Sequence, residues 1–324
     1  MVETDVHFPT DINLLFDAVR KIIQICALLT NALDMSLWRQ YVYNIKAFKM
    51  LYRKVQQLKR SKSKDEAKKA DKEQMIVEAH IEYIKVAETY VKKAALTIEA
   101  IDPDILGYAA KIEELETYVI HAKRQIDQIR RRVVDGEKIP HDEKVFSIFE
   151  PHTEWISKGK AGVPQELGLR VCILEDQYGL ILHHKVMERE TDDKVAIGMI
   201  DAAQDKFPNL KGCSFDKGFY TPDNKIKLKL RLDILVLPKK GKLNKTEQKE
   251  ETSETFVQHK RKHSAVESAI NALENHGLDR CPDHGIDGFK RYVSLSVLAR
   301  NLQIVGHHLQ QKELKEIQKL QKAA

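Results

Sequence analysis

From Ile12 to Leu29 the apolar residues fall three and four apart: Ile12, Leu15, Ala18, Val19, Ile22, Ile23, Cys26 and Leu29. That spacing lines them along one stripe of an amphipathic helix, the face such a helix must bury. Leu37, Tyr41, Ile45, Phe48, Tyr52 and Val55 predict a second helix, and Ile76, Tyr83, Ala87, Tyr90, Ala94 and Ile98 a third. The third stops at Asp102-Pro103-Asp104, because proline lacks a backbone donor and disfavours helical geometry in the residue before it. A fourth carries Leu115, Val119, Ala122, Ile126, Ile129 and Val133. Neither of the last two buries its stripe alone, so they are expected to pair as an antiparallel coiled hairpin over residues 71–134.

After Gly136 the period changes. Leu169, Val171 and Ile173 alternate, Asp176-Gln177-Tyr178-Gly179 reads as a tight turn, and apolar residues return from Leu180 to Val186. Alternation around a turn predicts a β-hairpin. Thr191-Asp192-Asp193 opens a helix, and Gly212-Cys213-Ser214-Phe215 forms a short buried strand running into a glycine turn. Leu232, Ile234, Val236 and Leu237 make another strand, halted by Pro238. The stretch from Lys239 to Glu251 is polar throughout and reads as a surface loop. Helices close the chain from about Thr255 to Asn275 and from about Gly288 to Gln318. The pattern is that of a mixed α/β domain preceded by an all-helical region.

Composition narrows the classes. The 324 residues are 42% hydrophobic and 31% charged, which excludes a disordered tail, a collagen-like fibre and a small disulfide scaffold. The length leaves room for about two domains. No run reaches the roughly 18 to 20 apolar residues of a membrane span, and the N-terminal Met-Val-Glu-Thr-Asp has no apolar targeting core. Cys26, Cys172, Cys213 and Cys281 are scattered without a paired spacing, the usage of a reduced, cytosolic chain. The net charge of +6 hints at an anionic partner only where basic residues gather. They do so at Arg53 and Lys54 and in Lys59-Arg60-Ser61-Lys62-Ser63-Lys64, a run without apolar period. A solvated loop or helix extension is the simpler explanation of such a run, and it is also where a phosphate backbone could be gripped.

Two carboxylates stand out. Asp216 ends a buried strand and precedes Lys217-Gly218-Phe219, the lip of a sheet where α/β folds hold ligands; capping of its own turn is the simpler use. Glu267 edges the buried face marked by Val266, Ile270 and Leu273, where it is either solvated or aimed inward at a metal. Only folding brings these two together, 51 positions apart (267 − 216). No glycine-rich phosphate loop and no Gly-x-Ser-x-Gly elbow occurs, so nucleotide binding and acyl transfer lack support.

The motifs also carry a family likeness. Val2-Glu3-Thr4-Asp5-Val6-His7-Phe8-Pro9-Thr10-Asp11 with Leu14-Leu15 resembles the segment after the first active-site strand of DDE-type insertion-sequence transposases, the ISNCY-type group in particular. Phe146-Ser147-Ile148-Phe149-Glu150-Pro151-His152, Trp155-Ile156-Ser157-Lys158-Gly159-Lys160 and Glu166-Leu167-Gly168 follow in the same order. Phe215-Asp216-Lys217-Gly218-Phe219, His263-Ser264-Ala265-Val266-Glu267-Ser268 and Gly277-Leu278-Asp279-Arg280-Cys281-Pro282 complete the resemblance over nearly the whole chain.

The resemblance implies an α/β fold: an RNase H-like mixed-sheet core, a large all-α insertion and C-terminal helices. Three carboxylates would bind two Mg²⁺ ions, with Mn²⁺ as substitute, for cleavage and joining of phosphodiester bonds. Asp216 would be the second catalytic and metal-binding carboxylate and Glu267 the third. The first lies upstream of the Val-Glu-Thr segment in the family, so a chain starting at Met1 is expected to be truncated and inactive. Residues 1–11 would be the remnant of the first core strand, 12–135 the helical insertion and 136–324 the catalytic core. Relatives often show Tyr, Arg, Glu and Lys on one helical face; here His263 stands four residues before Glu267 and Glu274 seven after. Implied partners are double-stranded DNA and further copies of the chain, in a cytoplasmic, nucleoid-associated setting. DNA-contact candidates are Arg53, Lys54, Lys59, Arg60, Lys62, Lys64, Lys158, Lys160, Arg261 and Lys262. The competing expectations are a non-catalytic DNA-binding remnant that interferes with a full-length transposase, and a helical scaffold that binds a partner through its hairpin.

Overall fold

The computed structural model describes residues 1–60, 66–101, 107–157 and 165–323. They form two compact units, one of residues 7–151 and one of residues 1–6 with 152–324.

The first unit is helical: α1 (Asp11–Ala32), α2 (Tyr41–Arg60), α3 (Glu66–Glu99) and α4 (Ala109–Val133). Thr10 caps α1, its hydroxyl accepting from Asn13 N while the Asn13 side chain accepts from Thr10 N, so two otherwise orphaned donors are satisfied. The stripe read from the sequence is the buried one: Leu15, Ala18, Val19, Ile22, Ile23, Cys26 and Leu29 have no exposed surface. Against it pack Phe48, stacked on Tyr83 at 4.7 Å, and Tyr83 itself, whose hydroxyl donates to the Ile12 carbonyl at 2.9 Å. α3 and α4 pack along each other, with Arg130 ion-paired to Glu88 at 2.7 Å. Their apolar sides join one core with α1 and α2, because no helix with a single stripe is stable until that stripe is covered.

The second unit is the mixed one. Its larger sheet has the order β2 (Glu154–Ser157), β3 (Gln165–Glu175), β1 (Val2–Thr4), β7 (Arg280–Cys281), and β4 (Ile181–Met187) also pairs with β3. β1 runs antiparallel to β3, with Val2 opposite Leu169, and parallel to β7. β3 and β4 form the expected hairpin, closed by Asp176, whose carboxylate accepts from Tyr178 N and Leu180 N. Residues 170–175 of β3 pair with β4, and among the described residues no strand pairs with their other edge. A separate two-stranded parallel sheet joins β5 (Gly212–Ser214) to β6 (Ile234–Val236). Around the sheets lie α5 (Asp192–Lys206), α6 (Pro222–Lys229), α7 (Lys245–Glu251), α8 (Glu254–Leu273) and α9 (Gly285–Ala323). Phe289, Val293 and Val297 on α9 pack with Leu169, Ile181 and Val186 of the hairpin.

One expectation is corrected. The polar stretch from Lys239 to Glu251 is not loop throughout, since its second half is α7. Asn244 and Glu247 exchange side-chain to backbone hydrogen bonds of 2.8 and 2.9 Å, a reciprocal cap that starts a helix without any apolar stripe. Thr221 and Pro222 start α6 in a similar way: the threonine caps, and proline at the first turn has no donor to lose.

The close approach of β1 to β3 requires glycine at 168, where an added Cβ would lie 2.0 Å from the Val2 carbonyl oxygen. Gly168→Ala is therefore expected to lower unfolding free energy by about 1–3 kcal/mol in a denaturant titration, since backbone must move aside. Gly198 lies within α5 with nothing within 4 Å of an added Cβ. Gly198→Ala is expected to raise stability by about 0.5–1 kcal/mol, because glycine loses more freedom on folding.

Candidate active site

β5 carries the chain to the lip of the parallel sheet, where Phe215 N still donates to the Val236 carbonyl at 2.8 Å. Asp216 is the next residue. Its backbone opens the single turn Lys217–Phe219, yet its side chain makes no capping hydrogen bond to that turn. The carboxylate is thereby left for something else, and it is turned to α8. Asp216 Oδ1 lies 3.3 Å from His263 Nε2.

His263 is mostly enclosed, whereas the Asp216 carboxylate is 76% exposed, so the pair presents an accessible anion on a held imidazole. The ring also bonds the backbone of Ser214, and the charge of Glu267 acts on it as well. Glu267 follows His263 by four residues on α8, the spacing of side chains on one helix face. Asp216 thus bonds the imidazole, and Glu267 stands one helical turn further along α8, its charge acting on the same ring. The hydrogen bond to Asp216 raises His263 above its usual value, against an opposing effect of burial. The same bond holds Asp216 below the usual carboxylate range.

Two neighbours were not among the sequence candidates. His263 was noted only as a departure from the family pattern; histidine within a helix gives no local sign of which carboxylate it meets. Asp192, at the first turn of α5, was read as a capping residue. Its Oδ2 would lie 2.5 Å from a Cβ added at Gly218, so the Asp192 carboxylate borders that turn and would have to turn aside for a larger residue. Burial pushes the thiols of Cys172 and Cys213 up to about 12, which leaves neither as a thiolate nucleophile at neutral pH.

The donor chemistry suits a hard divalent cation. Mg²⁺ is commonly held by one or two carboxylates with water and substrate phosphate completing its shell. Asp216 and Glu267 supply such carboxylates, but no group of three His, Cys, Asp or Glu side chains converges as ligands among the described residues.

The basic candidates divide. Arg53 is exposed, Lys54 is ion-paired to Glu82 at 2.7 Å, and burial together with the charge of Arg132 holds Lys59 below its usual value. Arg60 closes α2, and Arg261 and Lys262 lie exposed on α8 beside His263. Lys62, Lys64, Lys158 and Lys160 lie outside the described residues.

The family described as "Transposase DDE domain" matches residues 127–302, more than half of the chain and the whole span from β2 to the docked part of α9. The chain belongs to the DDE transposase family. Comparison with curated proteins and with solved structures gave no match. Both carboxylates of this transposase-family protein fall within the matched span, as do His263 and Asp192. No helix among the described residues is long and apolar enough to cross a membrane.

The pH behaviour of the Asp216–His263 pair follows from its two shifts. Asp216 is depressed, so its contribution to stability holds above 3.8 and fades as pH falls through its folded value. His263 is raised, so its contribution holds below 6.5 and fades as pH rises through its folded value. Both are present between those limits. In a proton NMR titration of the metal-free protein His263 is expected to titrate above 6.5, and Asp216→Asn to move its midpoint down. An unchanged midpoint would show that the pair does not form in solution.

Proposed function

We propose that this protein is a DNA transposase that cleaves and joins phosphodiester bonds at the ends of an insertion sequence, with Asp216 and Glu267 as catalytic carboxylates. The observation that carries the reading is that the Asp216 carboxylate is not used by its own turn but faces His263, next to Glu267. A structural aspartate before a glycine turn would have been consumed as the cap.

The core is read as RNase H-like, with β1 inside the sheet, flanked by antiparallel β3 and parallel β7. The helical region of residues 12–135 is an insertion, since the chain leaves β1, builds the helical unit and returns at β2.

Two divalent ions, Mg²⁺ or Mn²⁺, would supply the charge that activates an attacking hydroxyl and stabilises a leaving oxygen. The chain's own part is positional. Asp216 and Glu267 offer oxygen donors on an accessible lip, and His263 fixes the direction of the Asp216 carboxylate. The basic residues at 53–64, with Lys158, Lys160, Arg261 and Lys262, bind the DNA backbone, which carries no sequence information but sets affinity and register.

Three measurements test this. Calorimetric titration with Mn²⁺ should show binding that weakens at least about tenfold in Asp216→Ala and in Glu267→Ala, as expected when a ligating carboxylate is lost. Nicking of DNA carrying the element's ends, in Mg²⁺ or Mn²⁺, should disappear in both variants while DNA binding persists. Alanine replacement of the basic residues at 59–64 should weaken DNA binding and flatten its dependence on salt, because fewer counterions are released. DNA binding without metal binding or nicking in the unmodified chain would favour a non-catalytic protein that interferes with an active transposase.

A further inference from the structure

Helix α9 is apolar on two sides. One side docks in the mixed unit through Phe289, Val293 and Val297, and continues with Asn301, whose side chain bonds both backbone groups of Ile181. On the far side Leu295, Leu298, Leu302, Val305 and Leu309 stand in solvent, with Leu302 63% and Leu309 62% exposed. Their spacing of three, four, three and four is that of a coiled-coil seam. A helix face meant for water carries charge, yet from Tyr292 to Leu309 the sole charged residue is Arg300.

We propose that this stripe is a self-association surface, covered by α9 of a second copy of this chain running antiparallel. The area is sufficient: the stripe offers on the order of 600 Å² per copy, so a pair buries about 1,200 Å², the lower bound of a specific interface. Ala299 and Gly306, seven apart, flank the seam on one side, and a Cβ added at Gly306 would meet nothing within 4 Å. Glycine weakens a helix interior, and here it leaves room for a closely approaching backbone.

Charge selects the direction. Continuing the seam past Leu309 reaches Lys312 and Glu316, which in a parallel pair would each meet its own copy. Antiparallel pairing with Leu302 opposite Val305 sets Leu298 opposite Leu309 and Glu316 opposite Arg291, an exposed residue on the same line of the helix that also ion-pairs with Asp283 at 2.5 Å. Glu316 then meets an opposite charge and Lys312 meets Leu295, so neither faces its own kind. The two-fold arrangement is also closed, so it stops at a dimer. It rests on the surface alone and stands whether or not the chain cuts DNA.

Sedimentation velocity of the full chain, without DNA or metal, tests it. The expected result is a concentration-dependent dimer of twice the 37.3 kDa chain mass. Leu302→Lys with Leu309→Lys should leave a monomer of unchanged circular dichroism, since both side chains are exposed. The milder pair Leu302→Ala with Leu309→Ala should weaken association about tenfold or more. Glu316→Arg should weaken the dimer, and adding Arg291→Glu should restore it. A monomer at every concentration, as when another part of the chain or a different partner covers the stripe, overturns the proposal. So does a dimer of unaltered affinity in both leucine pairs, and failure of the charge reversal to restore association overturns the antiparallel direction.

Discussion

The carboxylate of Asp216 lies 3.3 Å from the imidazole of His263, and that contact joins two stretches of chain that no local pattern connects. Asp216 reaches it because β5 is only three residues long and ends beside α8. His263 reaches it because α8 packs against β5 and β6, which fixes the rotation of the helix and hence the side that faces the lip. Glu267 then needs no separate placement, as one helical turn carries it to the same side. The pair is too exposed at Asp216 to hold the fold together. What it does is direct an accessible carboxylate.

The surrounding architecture supplies rigidity at that lip. The parallel ladder of β5 and β6 is backed by the cluster of Ala196, Ile200, Phe215, Leu228, Leu232 and Leu237, so the strand end is anchored by apolar burial on α5 and α6. Asp192 at the start of α5 fills the space over Gly218 and so limits where the Asp216 turn can go. On the other side of the unit, α9 lies across the β3–β4 hairpin and spends one apolar face there, which is why its second face is notable.

The helical unit was legible because each helix repeats its buried face every 3.6 residues, and the stripe from Ile12 to Leu29 is the one found inside. The β3–β4 hairpin was legible for the same reason at period two. α7 was not, since its start depends on a reciprocal Asn244–Glu247 cap within a run of uniformly polar residues. The pairing of β1 was equally silent: three residues hold no register, and their place between β3 and β7 is decided by Gly168 allowing contact and by Glu3 N meeting the Asp279 carbonyl.

The same division applies to function. By itself the sequence determined that the chain is an α/β protein with a helical region, and it nominated Asp216 and Glu267 through motifs resembling DDE transposases. Both nominations depend on residue type and local context, which a chain displays along its length. Tertiary structure alone decided that Asp216 leaves its own turn uncapped, that His263 is its partner and that Asp192 borders the same turn. It also decided which apolar face of α9 is spent on the core and which is left open. These are contacts between residues tens of positions apart, and their geometry comes from how helices and strands pack, which no local periodicity encodes.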